Sequence, residues 1–294
     1  MTPPARSLWS GALAFVWLGA TGQVPGAPTQ APDESVAAVV RAASGYVEAY
    51  RKEVAFLLAD EHYTQTRTRG GRKIDRRVMA GDFFLTYLEA DRKWIAVHDV
   101  VTVDGRAVPD RDSLQTLLRN GGSLRGIVEL VAGRNAEFNI GSVWRNFNEP
   151  TFALMLLDPD RTSSVTFRKK QVERGGEATL VTLTFEEDDR PTLVRGPDGP
   201  VAGRGELIIE AGTGRVRQKR FELEQGDLSA RLVTEYAYDA HVGMWLPLRF
   251  TERYENRAGV SPEPELIVCD ATYTNFRRFT ASMASSPRPI SVTL

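Results

Sequence analysis

GELIIEAGTGRVRQKRFELEQGDLSARLVTEYAYDAHVGMWLPLRFTERYE, residues 205–255, and ELIVCDATYTNFRRF, residues 265–279, decide the fold of this 294-residue chain. β-Branched and aromatic residues recur at roughly alternating positions in each run. The gaps GTG, QGD and AHVG hold the Gly and Asp that tight turns need. The pattern predicts a β-meander, an antiparallel sheet in which consecutive strands pair. Strand twist accumulates across many such strands and curves the sheet, and a curved sheet can wrap something.

Upstream of the meander the same signals continue. Ser164 to Val172 and Thr179 to Glu187 read as strands, with a short strand at Thr192 to Arg195 inside a Pro- and Gly-rich loop. Earlier still, EHYTQTRTR (61–69) alternates like a strand, and Gly70-Gly71 turns it into RKIDRRVMAGDFFLTYL. WIAVHDVVTV (94–103) is the next strand, with Asp104-Gly105 as its turn. Strand runs therefore number roughly ten.

Helical spacing appears in three places. Asp33 to Leu58 carries an apolar i, i+3, i+4, i+7 stripe through Val36, Val39, Val40, Ala43, Tyr46, Val47, Tyr50, Val54, Leu57 and Leu58, with Asp33 or Ser35 as its cap. Gly45 inside it is read as permitting close packing on a sheet. Asp112 to Leu118 and Ser123 to Phe138 form a second group, separated by Asn120-Gly121-Gly122. Thr151 to Leu157 (TFALMLL) is a short apolar helix stopped by Asp158-Pro159, either core or part of a ligand-touching lining. Helices set apart from an antiparallel sheet make an α+β fold. The expected architecture is a strongly curved antiparallel sheet, an open, unclosed β-barrel with helices covering its concave side.

Lys and Arg total 37 against 38 Asp and Glu, a net charge of −1 that argues against a nucleic-acid binder or a polybasic membrane-surface protein. Arg6 precedes the apolar stretch Leu8 to Ala20, followed by small and turn-forming residues, the layout of a secretory signal peptide. That stretch is shorter than the ~20 residues a transmembrane helix needs. The expected organisation is a signal peptide and Pro-rich linker over 1–31, one domain over 32–280 and a tail over 281–294. No stable membrane span is expected after signal cleavage. The expected location is the periplasm, with the extracellular space as the alternative. Cys269 is the single cysteine, so no intrachain disulfide forms and no lipoprotein-type cysteine lies near the signal. Its place in ELIVCDATY is that of a small buried hydrophobe.

The helix Asp33 to Leu58, the strand EHYTQTRTR and the pair GRGELIIEAGTGRVRQKRFEL together resemble the periplasmic carriers and receptors of the lipoprotein-localisation (Lol-type) superfamily. In that superfamily a strand, a "dxxTG" turn and a charged return strand recur. Here the aspartate position reads Glu210 or Ala211. The runs WRNFNEPTFALMLLDP, RPTLVR, GRVRQKRFE, MWLPLRFTERYE and ATYTNFRRF are similar to a group of secreted bacterial proteins with no assigned activity. The Lol-type resemblance implies an open barrel with helices in its mouth and the binding of acyl chains in an apolar cavity.

Reactive motifs are missing. His62, His98 and His241 form no HxxxH, HExxH or Cys/His spacing; His62 and His98 could meet across strands, but they read foremost as exposed or satisfied sheet histidines. Neither a GxSxG elbow nor a phosphate loop is present. The pairs Glu186-Glu187 and Asp188-Asp189 read as a solvated turn. Arg76-Arg77 and Arg277-Arg278 read as exposed strand charges. The candidate walls of an apolar ligand cavity are Phe84, Trp94, Trp144, Phe152, Leu156, Trp245 and Phe250. No metal, cofactor, catalytic residue or nucleic-acid partner is expected. The function expected is non-catalytic binding of a lipid or other apolar ligand between sheet and helices. The alternative is an envelope interaction protein with a filled interior, working on a protein partner through a sheet edge or surface patch. A pocket grouping a histidine with two carboxylates would instead point to an enzyme.

Overall fold

The computed structural model describes residues 32–279 except 90, 110–111, 121–123, 144, 146–148, 189–190 and 259–262. The expected signal segment, the tail and Trp144 lie outside the described residues.

The chain opens with α1 (Val36–Glu53), then β1 (Leu57–Arg69), β2 (Arg72–Leu88), β3 (Lys93–Val103) and β4 (Arg106–Ala107). α2 (Leu114–Arg119), α3 (Leu124–Ala136) and a 3-10 helix (Phe152–Leu157) follow. Strands resume as β5 (Val165–Glu173), β6 (Leu180–Glu187), β7 (Val194–Gly196) and β8 (Gly199–Val201). The meander is β9 (Arg204–Glu210), β10 (Val216–Gln225), β11 (Leu228–Asp239), β12 (Met244–Asn256) and β13 (Glu265–Arg278).

An 11-stranded antiparallel sheet takes the order β4-β3-β2-β1-β13-β12-β11-β10-β9-β6-β5, and β7 and β8 pair as a separate ribbon. β13 joins β1 in register from Arg69↔Glu265 to Leu57↔Arg278, which fuses the N-terminal hairpin to the meander. The ends of the sheet do not pair with each other, so the barrel stays open along a seam between β3–β4 and β5. Along that seam β3 pairs with β2 over its length but with β4 only at Thr102 and Val103.

α1 forms where the apolar stripe predicts it. The Ser35 hydroxyl accepts from the Ala38 amide at 3.3 Å, and Val39, Ala43, Val47 and Tyr50 are buried on the sheet's inner face. Each such side chain contributes about 1.5–3 kcal/mol on full burial, Ala43 less. The helix ends at Glu53 rather than Leu58, because Phe56 takes φ 52 and the chain turns into β1. Leu57 and Leu58 thus belong to a strand and point to opposite faces. Gly45 does not mediate a close approach: a Cβ there would meet nothing within 4 Å. The close approach is at Gly214 instead, where φ is +73° and a Cβ would lie 2.1 Å from the Ala42 carbonyl oxygen. The turn EAGTG therefore presses backbone against α1, with Thr213 Oγ1 donating to Glu210 at 2.9 Å.

The main core fills the inner face with residues of α1, the 3-10 helix and nearly every long strand, Leu183, Leu207, Phe221, Leu232 and Phe250 among them. A second, smaller core lies on the opposite face, where α2 and α3 cover Leu58, Phe84 and Val97 through Leu114, Ile127 and Val131. At the end of β6, Glu186 and Asp188 are exposed as a solvated turn requires, but Glu187 departs from that reading. Glu187 is buried, and its carboxylate accepts from the Leu193 and Gly203 amides, both at 2.8 Å, tying down the loop into β7.

Candidate functional site

The 3-10 helix and the residues before it are pinned across the inner face of the sheet, from β11 at one end to α1 and the β2–β3 turn at the other. At one end the Pro150 carbonyl accepts from Thr234 Oγ1 at 2.9 Å and from the Tyr236 hydroxyl at 3.1 Å. At the other, buried Asp158 pairs with Arg51 at 2.8 Å and Arg92 at 3.0 Å. These cations, through their hydrogen bonds and charge, hold the Asp158 carboxyl below the usual range against the opposing effect of burial. Between the anchors Phe152, Leu154, Leu156 and Leu157 dip into the core.

Two cavities flank this strap and share Lys93, Trp94 and Glu149. The first, about 380 Å3, runs along the β3 strand from Lys93 to His98 and is closed by Val128 and Gly133 of α3 and by Arg145. The second, about 580 Å3, lies between the start of β3 and the loop into β7, floored by Phe152 and Met155 with Leu193 opposite. An apolar wall with charged groups at intervals suits an amphiphile better than a wholly apolar or wholly polar molecule.

The charges around the first cavity are fixed by neighbours. Nδ1–H of His98 donates into the buried Glu61 carboxylate at 2.8 and 2.9 Å, and the imidazole packs on Phe83 at 5.2 Å. His98 is thus a satisfied sheet histidine, while His62 stands opposite Ala80 and is exposed, so the two do not meet. Arg145, 5% exposed, donates to Gln65 Oε1 at 2.5 Å, the Ile140 carbonyl at 3.0 Å and Asn139 Oδ1 at 2.8 Å. Deeper in, Glu252 accepts from the Tyr63 and Tyr254 hydroxyls at 2.7 and 2.5 Å. Burial pushes its carboxyl above the usual range. Burial likewise raises the Glu149 carboxyl to about 7, with Thr151, Lys219, Lys93 and His98 pulling the other way.

The candidate walls named from sequence fall in different places. Trp94 is 1% exposed and lines both cavities, and its Nε1–H has no acceptor among the described residues. Phe152 lines the second cavity. Leu156 and Phe250 are fully buried in the main core, and Phe84 is buried in the core on the opposite face. Trp245 is half-buried beneath the Arg217 guanidinium, 4.0 Å from the ring centroid. Trp144 lies outside the described residues.

Sequence reasoning missed Lys93, Arg145, Glu149 and Lys219. For Lys219 a signal existed: it is two residues from Phe221 and four from Leu223, the same face of β10. Cys269 is fully buried, and burial pushes its thiol up to about 12. No group of three or more His, Cys, Asp or Glu among the described residues could hold a metal ion. No described helix is long and apolar enough to cross a membrane.

No family model and no curated protein matches the chain. Among the solved structures that are similar at low level, three are described. A LolA superfamily protein from Nitrosomonas europaea shares 13% identity, with 82% of this chain and 92% of that chain covered and a TM-score of 0.30. A DUF1329 family protein from Desulfovibrio piger shares 12%, with 84% and 95% covered and a TM-score of 0.34. A domain described as an outer membrane lipoprotein-sorting protein, from Vibrio parahaemolyticus, shares 11%, with 84% and 93% covered and a TM-score of 0.36. Similarity at this level assigns neither family nor function.

Proposed function

We propose that the chain is an exported binding protein that holds one amphiphile, an acyl chain with a polar head, in the groove along the open seam. The observation that carries this is a pair of neighbouring cavities, of about 380 and 580 Å3, that both border Lys93, Trp94 and Glu149 beside the start of β3. Those volumes fall within the roughly 300–1,000 Å3 of ordinary ligand pockets. Trp94 and Phe152 are the aromatic walls in this proposal. Leu156 and Phe250, buried in the main core, back these walls in this proposal, and Phe84 and Trp245 line neither cavity. Residues 1–31 act as signal and linker to a single domain over 32–280, followed by a tail. The layout of Arg6 and the apolar run Leu8 to Ala20 supports export, and with it a periplasmic location.

Filling the first cavity tests the proposal. Gly133 lines it, and a Cβ there meets nothing within 4 Å, so Gly133→Trp occupies the space without a backbone clash. Saturable uptake of a fluorescent acyl probe by the native protein, about one per chain, and a tenfold or greater loss in Gly133→Trp with folding intact, are the expected results. No saturable uptake at all would leave an interaction protein as the better account. Such a protein would work at another surface than β5, whose Arg168, Lys169 and Lys170 guard that edge against strand addition.

A second reading has a specific observation behind it: the first cavity groups His98 with Glu61 and Glu149. An imidazole oriented by a carboxylate can take a proton from water, and a carboxyl titrating near neutrality can return one to a leaving group. Hydrolysis of an ester probe that disappears in His98→Gln would favour this reading. A rate equal to that of buffer would remove it.

A further inference from the structure

Lys219 sits on the interior strand β10, opposite Leu207 of β9 and Thr234 of β11. Its side chain is 1% exposed, and Nζ has no hydrogen-bond partner among the described residues. The nitrogen lies between two aromatic faces, 4.7 Å from the Phe152 centroid and 5.9 Å from that of Phe250. Desolvating an ammonium is costly, and contact with ring faces returns only part of that cost. A methionine would fill the same space at no such cost, so the amine calls for an explanation.

Placement supplies one. Phe152 both packs against Nζ and lines the second cavity, so the amine lies one side chain back from the groove. Glu149, the acid whose charge acts on Lys219, lines both cavities and makes no hydrogen bond to it. Resting on the amphiphile-binding function above, we propose that Lys219 is the anchor for a carboxylate-headed amphiphile. The Phe152 ring turns aside, and the carboxylate enters between Phe152 and Phe250 to pair with Nζ. The acyl tail lies in the groove past Trp94. Phe152 then acts as a gate that keeps the amine dry until a ligand arrives. A carboxylate suits the space one ring vacates, and the pairing supplies the acceptor that Nζ lacks.

The test compares palmitate with hexadecanol, which shares the chain and lacks the charge. Both are titrated against the native protein, Lys219→Met and Phe152→Ala. The native protein is expected to prefer palmitate by tenfold or more. Lys219→Met should bind hexadecanol unchanged and lose the preference, and Phe152→Ala should take up palmitate faster. Folding of Lys219→Met is checked by its hexadecanol affinity. Equal native affinities for the two ligands, or a preference that survives in Lys219→Met, would overturn the anchor while leaving the groove's binding function standing. A native protein that binds neither ligand would overturn that function, and the anchor with it.

Discussion

Replacing Lys219 by Met should make the protein more stable, and by an amount that depends on pH. Burial drives the amine from an ordinary value of 10.5 down to about 7, only partly offset by the charge of Glu149. Each pKa unit corresponds to about 1.4 kcal/mol, so the folded state disfavours the protonated amine by roughly 4–5 kcal/mol. The unfolded chain holds this proton up to pH 10.5, whereas the folded protein releases it near 7. Between those values the unfolded state binds more protons, so the native protein gains stability as pH rises. Lys219→Met lacks the titration. Its advantage should be about 4 kcal/mol at pH 6–7 and shrink by roughly 1.4 kcal/mol per pH unit above that. For a domain of this size the shift in Tm near neutrality is about 10 °C. Part of the gain is lost because Glu149 no longer has a cation beside it. Urea unfolding of both proteins at pH 6, 7, 8 and 9 measures the gap. A variant less stable than the native protein at pH 6, or a gap that stays flat with pH, would refute a buried amine without an acceptor.

Two further outcomes follow from the same structure. Gly45→Ala should stabilise by about 1 kcal/mol, since the position is an exposed helix interior with room for a methyl group, and thermal unfolding reads it directly. Palmitate affinity should fall from pH 6 to pH 8 as two groups near 7 titrate: Lys219 loses its proton and Glu149, which faces Lys219, Lys93 and His98, gains a competing charge. Hexadecanol affinity measured over the same range should stay level; a parallel decline would mean that the fold, not the head group, is titrating.

Much of the sheet was legible because each turn in the meander announces itself with Gly, Asp or Asn and each strand alternates. The end of α1 was not. Val54, Leu57 and Leu58 continue the helical spacing, while the break is a single backbone conformation at Phe56 that its side chain does not signal. Buried charges were harder still. The Glu61–His98 contact depends on two strand registers and a shift between Ala80 and Gly81 in β2, none of which spacing alone fixes. Glu149 lies outside helix and strand, where no period reveals a face. Large aromatic residues were nominated by size, but size does not separate Phe84, packed on the far face, from Trp94, which stands on the groove.

Native mass spectrometry of the protein purified without detergent from cells that export it tests the groove most directly. A single adduct of a few hundred daltons, of a mass scale consistent with one acyl amphiphile in pockets of this size, should accompany the native protein and be removed by organic solvent. Gly133→Trp should carry none. A clean mass for the native chain that also takes up no fatty acid would contradict the account.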